Sequence, residues 1–223
     1  MDTNVQEILT YFQALSAVPR QSKHEEKVRN WLESWAGEHG FRATPDSAGN
    51  LLVAVPGTAG LEQAAPIVLQ AHMDMVCEKA VDSQHDFSRD PIVPVRDGEW
   101  LTAAGTTLGA DNGIGVAMAM TAATAADLAH PPLELLFTVD EETGLTGASA
   151  LQPGFFSGKV LINVDSEDEG VFTVGCAGGQ NTLIEVPVER ESDETGSGWA
   201  TRGTAVEVTV SGLKGGHSGV DIH

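Results

Sequence analysis

The residues able to do chemistry stand at the ends of apolar runs. Ile67 to Ala71 leads into His72-Met-Asp74, Leu133 to Val139 leads into Asp140-Glu141-Glu142, and Val160 to Val164 leads into Asp165. A fourth acidic position, Asp111, lies in Gly109-Ala-Asp-Asn-Gly-Ile-Gly115. Singly, each has an ordinary explanation, because acidic loop residues are usually solvated and a lone His is more often a satisfied surface or core residue than a ligand. Jointly they do not, since several carboxylates at one edge repel one another unless a cation neutralises them. Imidazole with carboxylates suits zinc, manganese or cobalt, and neither a thiolate cluster nor a calcium loop pattern occurs. The His-x-Asp spacing lets Asp74 hold the second ring N–H of His72 and fix its tautomer. Adjacent Glu141 and Glu142 diverge in direction, so one can bind metal while the other acts as a general base on water.

These residues need a sheet to bring them together. In open α/β sheets the crevice outside the carboxyl ends of the strands is where ligands bind, and three of the four segments are strand ends. Val5, Ile8, Leu9 and Phe12 predict one amphipathic helix, and Val28, Trp31, Leu32 and Trp35 a second that Gly37 and Gly40 end, with both tryptophans in the core. Leu51 to Val55, a Pro56-Gly57 turn and Ile67 to Ala71 read as a hairpin-like stretch, and residues 82 to 98 as a loop rich in Asp, Pro and Gly. The run from Gly109 to Leu128 is nearly free of charge and rich in alanine and methionine, which predicts a helix buried on most sides with Asp111 just before it. Helices alternating with short apolar strands give an α/β fold whose sheet is covered on both faces. Residues 183 to 188 and 204 to 210 alternate apolar with polar, the pattern of a half-exposed antiparallel hairpin opening a second domain.

The chain has 12 Lys plus Arg against 32 Asp plus Glu, a net charge of −20, which argues against nucleic acid and against a basic membrane-surface helix as partners. At 41% hydrophobic residues it is too apolar for a disordered acidic tail. No run has the length of a membrane span and the start has no signal-peptide pattern, so a soluble cytoplasmic protein is expected. Cys77 and Cys176 are isolated and read as buried thiols of a reducing compartment; His24, His39, His85 and His130 fit no motif and read as surface residues.

The segments QAHMDMVCEK, GADNGIG, DEETGLTGA, INVDSEDEG and LKGGHSG resemble, in order and spacing, the dinuclear zinc aminoacylase, carboxypeptidase and dipeptidase superfamily, and within it the branch of bacterial cytosolic Xaa-His dipeptidases. The resemblance implies a three-layer α/β/α zinc-exopeptidase-like catalytic domain over residues 1–181, with the beginning of an inserted α+β lid, a dimerisation domain, over 182–223. It implies hydrolysis of dipeptides by a metal-activated water at two divalent ions, zinc first, with manganese or cobalt accepting the same ligands. His72 and Asp165 would be ligands of one metal, Asp111 would bridge the two, and Glu142 would bind the second. Asp74 would orient His72, and Glu141 would be the general base. His217, in the lid, would help stabilise the oxyanion, in a homodimer often that of the partner subunit. Family members continue past the position of His223 to a late His on the second metal, so the chain reads as truncated inside its second domain, with a weakened second metal site and weak or no activity expected of it. Two competing expectations are an N-acyl amino acid amidohydrolase with the same centre and a fragment that only binds metal or a partner.

Overall fold

The computed structural model describes residues 3–166, 170–175 and seven further positions between 183 and 212. The chain falls into two compact units, Met1–Glu169 and Gly170–His223. Both 182–223 hairpin strands, apart from single positions, lie outside the described residues, and so do Cys176 and His217.

The first unit begins with the two helices that the apolar spacing predicts, α1 (Thr3–Ser16) and α2 (Glu26–Glu38). Helix α1 turns Phe12 and Leu15 inward, and α2 does the same with Val28, Leu32, Trp35 and Ala36. A third helix, α3 (Ala110–Thr124), is buried on most sides, from Gly113 through Val116, Ala117, Met120 and Ala123. Asp111 and Asn112 have non-helical backbone angles, so regular helix starts after them and Asp111 sits at its mouth.

Five strands form the main sheet: β1 (Arg42–Pro45), β2 (Leu51–Val55), β3 (Ile67–His72), β6 (Leu133–Thr138) and β7 (Val160–Asn163), in the order β1-β2-β6-β3-β7. Strand β3 runs parallel to both β6 and β7, whereas β2 is antiparallel to β1 and to β6. The hairpin expected between residues 51–55 and 67–71 is therefore not formed. Strand β6, more than sixty residues further on, inserts between β2 and β3, because its two apolar faces can be buried only in the middle of the sheet.

Alternation along the strands builds two cores. Leu51, Val53, Val55, Ala71, Leu133, Leu135 and Phe137 face α1, α2 and α3, while Leu52, Val68 and Leu136 face the other way, against Leu151, Phe155 and Phe156. Each fully buried Leu, Val or Phe contributes about 1.5–3 kcal/mol over its exposed state, so the helical side dominates stability. The expected 82–98 loop contains part of a small second sheet, β4 (Pro94–Asp97) with β5 (Trp100–Ala103), joined through Gly98-Glu99. Two very short helices, α4 (Glu141–Gly144) and α5 (Thr146–Ala150), follow β6.

Candidate metal centre

Because β3, β6 and β7 are parallel, their carboxyl ends open on one edge of the sheet. His72 is the last residue of β3, paired with Thr138 of β6, and its ring is 1% exposed. Its Nε2 lies 2.9 Å from Asp111 Oδ1, 3.7 Å from Asp165 Oδ1 and 3.9 Å from Glu141 Oε2. Two groups of donor atoms, His72 with Asp111 and Asp165, and His72 with Glu141 and Glu142, each fall within 4.8 Å of one another. The five residues read from the sequence as ligands or base are thus brought together, around the imidazole.

Asp74 stands behind them and is fully buried. Its Oδ1 is 3.2 Å from His72 Nδ1 and accepts the Glu141 N–H at 3.1 Å. Its Oδ2 accepts from Ser22 Oγ at 2.7 Å and from the Glu142 N–H at 3.2 Å. One carboxylate thereby fixes both the ring of His72 and the main chain of the Glu pair. Burial alone would raise the pKa of Asp74, but these hydrogen bonds outweigh it and hold the carboxyl down at about 2.

The turn that presents the Glu pair is set one residue earlier. Asp140 is buried, with φ at 51°, a left-handed conformation that Asp tolerates better than most residues. Its carboxylate accepts from the hydroxyls of Thr143 and Thr146. Asp165 is held from the side by Asn112, whose Nδ2 donates to Asp165 Oδ1 at 2.5 Å. A Cβ at position 115 would collide with the Asn112 side chain and the Val164 carbonyl, so Gly115 is what lets the end of β7 approach α3.

His72 offsets only part of the repulsion among these carboxylates. Burial, then the charge of Asp111, raises the Asp165 pKa to about 7 against the opposing pull of His72. Burial and the charge of Asp111 likewise raise Glu142. Burial would lower His72, but the hydrogen bonds of Asp111 and Asp74 and the charge of Asp165 push it up to about 10. The cluster therefore holds protons where a divalent cation would relieve the same repulsion, and its nitrogen and oxygen donors fit zinc, manganese or cobalt.

A model of peptidase family M20/M25/M40 matches residues 68–211, which include every donor of this cluster. The chain belongs to that family. Among M20 relatives and similar structures, it is 45% identical over 212 residues to a cytosol non-specific dipeptidase of Escherichia coli, covering 95% of this chain and 42% of that one. The crystal structure of an aminoacylhistidine dipeptidase from Vibrio alginolyticus superposes with a TM-score of 0.72 at 46% identity, over 74% of this chain and 34% of that chain. A tripeptidase from Staphylococcus aureus shares the fold alone, with a TM-score of 0.59 at 22% identity over 72% of this chain and 43% of that chain. The chain spans less than half the length of the curated relatives it matches.

Several residues at this M20 centre escape a reading of the sequence: Arg20, Ser22, Glu25 and Asn112. Their contacts with the centre span 52 to 115 residues, which no local spacing records. Of the residues read as incidental, Cys77 is half-buried rather than buried. His130 is buried rather than on the surface, its Nδ1 2.7 Å from the Pro131 carbonyl oxygen and its N–H donating to Thr58 Oγ1. His85 is half-buried beside Phe87.

Proposed function

We propose that the protein hydrolyses dipeptides, those of the Xaa-His type among them, at a centre of two divalent metal ions. The observation that carries this reading is the buried imidazole of His72 surrounded by carboxylates from three other chain segments, with Asp74 fixing its far nitrogen. The likeness to relatives named as dipeptidases supports the substrate class.

In this reading His72, Asp165 and Asp111 would hold one ion, and Asp111 and Glu142 the other. Bound there, the ions supply a polarised scissile carbonyl and a water acidic enough to ionise near neutral pH. Glu141, whose side chain is 33% exposed and open to a substrate, would take the proton of the attacking water and return it to the leaving amine nitrogen. Asp74 keeps the His72 proton on Nδ1, leaving Nε2 for metal. His217 completes the reading as oxyanion donor from a lid that also forms a homodimer, and the cytoplasm is the compartment. The last accords with the name of the E. coli relative and with there being, among the described residues, no helix long and apolar enough to cross a membrane.

The test is turnover by the zinc-, manganese- or cobalt-loaded protein of aminoacyl-histidine and other dipeptides beside N-acetyl amino acids. Dipeptide cleavage that is abolished by a chelator and restored by metal is expected. Cleavage of the N-acetyl amino acids alone would overturn the substrate class in favour of an amidohydrolase.

A further inference from the structure

We infer that the link between α1 and α2, Arg20 to Glu25, is a bracket that sets the distances between the loops bearing the metal ligands. This rests on the metal-centre reading above, and it concerns a segment that lies before the 68–211 family match.

Arg20 is 2% exposed. Its Nη1 donates to the carbonyls of Met73 at 3.2 Å and Asp74 at 2.9 Å, and its Nη2 donates to the carbonyl of Gly109. One planar guanidinium thus ties the chain just after His72 to the chain just before Asp111, the pair whose donor atoms stand 2.9 Å apart. A rigid fork fixes such a distance in a way that a flexible ammonium does not. The glycines around Asp111 make room for it: a Cβ at Gly109 or at Gly113 would collide with Nη2.

The rest of the link reaches the remaining wall of the site. Gln21 bridges in parallel to Met75, and Ser22 Oγ donates to Asp74 Oδ2 at 2.7 Å. Glu25, also buried, accepts the Asp140 N–H on Oε1 at 2.8 Å, at the turn that presents Glu141 and Glu142. Within six residues, the link therefore holds the ends of β3 and β6 and the entry to α3.

Burying an arginine is costly, and an apolar side chain of similar volume is often as stable or more so. Burial lowers the Arg20 pKa to about 10 against the pull of Asp74, so the group remains charged at neutral pH. Its three bonds go to main-chain carbonyls, and it serves as a positioning residue. Ser22 and Glu25 act in the same way, through Asp74 and Asp140.

The experiment measures cobalt binding by chelator competition, together with the visible absorption of the cobalt-loaded protein, in Arg20→Lys, Ser22→Ala, Glu25→Ala and Glu25→Gln. Readings are taken well below the unfolding temperature of each variant, so that a merely structural loss leaves them unmoved. Residues that orient metal ligands typically carry tenfold or more in affinity, so Arg20→Lys and Glu25→Ala are expected to weaken cobalt by about tenfold and Ser22→Ala by about threefold, with shifted absorption bands. Glu25→Gln keeps the acceptor oxygen and is expected to match the unaltered protein. Should Arg20→Lys fail to fold, Ser22→Ala and the Glu25 pair decide. Unchanged affinity and spectrum in the folded variants would overturn the bracket while leaving the centre intact. Failure of the unaltered protein to bind cobalt would overturn the metal reading, and the bracket with it.

Discussion

Behind the centre, Arg20, Asp74 and Asn112 are each at most 2% exposed, whereas in front of it the side chains of Asp111, Glu141 and Asp165 are 56%, 33% and 24% exposed. The wall is knitted by hydrogen bonds between segments far apart in sequence, through Arg20 to β3 and α3 and through Asp74 to α4. The rim keeps carboxylate oxygens within reach of solvent. Architecture and chemistry are therefore carried by different residues, a few ångströms apart. Rim substitutions should change the reaction with the fold intact, and wall substitutions should reach the reaction only by moving something else.

The largest test of that division is Glu141→Gln. The amide is nearly isosteric but cannot take a proton, and a positioned general base is worth about a hundredfold to ten-thousandfold. The expected outcome is a fall in kcat of that size with metal content and unfolding midpoint unchanged, checked by steady-state kinetics beside elemental analysis. A variant that lost its metal as well would show Glu141 to be a ligand. Asp74→Asn crosses the same boundary from the wall side. It removes the charge that His72 Nδ1 and two backbone N–H groups share, so metal affinity is expected to fall about tenfold to a hundredfold. Stability should fall as well, by about 1.5–3 kcal/mol for a hydrogen bond to a charged group. Urea unfolding with a metal competition assay separates the two losses, and a change in one alone would break the division between wall and rim.

The donor residues, His72 with the carboxylates of the rim, were legible in the sequence and most of the wall was not. His72, Glu141, Glu142 and Asp165 each follow an apolar run that can only be a strand, and parallel strands deliver their ends to one edge. Asp111 is marked by the glycines about it. Asp74 was readable because it sits two residues from His72, which gave its contact to the ring but not its grip on the N–H groups of Glu141 and Glu142. Arg20 and Glu25 act through main-chain groups 53 to 115 residues away, and no periodicity records such a contact. Strand order failed for a similar reason: adjacency in sequence favoured pairing β2 with β3, whereas burial of both faces of β6 decided the matter. The β4–β5 turn, Gly98-Glu99, opens on a glycine at positive φ, which a two-residue hairpin loop favours, but the abundance of Asp and Pro around it hid that signal.

Protonation separates the two regions as well. Without metal, Asp165 is held up at about 7 and His72 at about 10, both above their unfolded values. A folded state that binds more protons than the unfolded one loses stability as pH rises, so these groups stabilise the metal-free protein most in acid. The loss runs from about pH 4 to 7 for Asp165 and from about pH 6.5 to 10 for His72. Metal binding takes those protons off, so affinity should climb with pH, by about tenfold per unit for each proton released. Asp74, held down at about 2, stays ionised throughout and releases none. Calorimetry of zinc binding at pH 8 in buffers of different ionisation heat is expected to show proton release, with a larger number at pH 6. Binding heats independent of the buffer would mean that the cluster carries no protons for the metal to displace.

The smallest effect is expected where wall and rim touch. Asn112 is buried like the wall but donates to Asp165, a rim residue, at 2.5 Å, in a space kept open by Gly115. Asn112→Ala removes the donor without adding bulk. The ordinary worth of such a bond, about 1 kcal/mol, lowers the unfolding temperature by about 2–4 °C in a chain of this length. If Asn112 only packs, metal affinity stays put. Its donor instead meets the same Asp165 oxygen that faces His72 at 3.7 Å, and so restricts where that oxygen can go. A released carboxylate must be ordered again when metal binds, which predicts about a threefold loss of affinity beside the thermal shift. Asn112→Asp makes the opposite intrusion, setting a fifth carboxyl against Asp165. It should raise the pH needed for metal uptake more than it lowers the unfolding temperature, which is the signature of a rim effect produced from the wall.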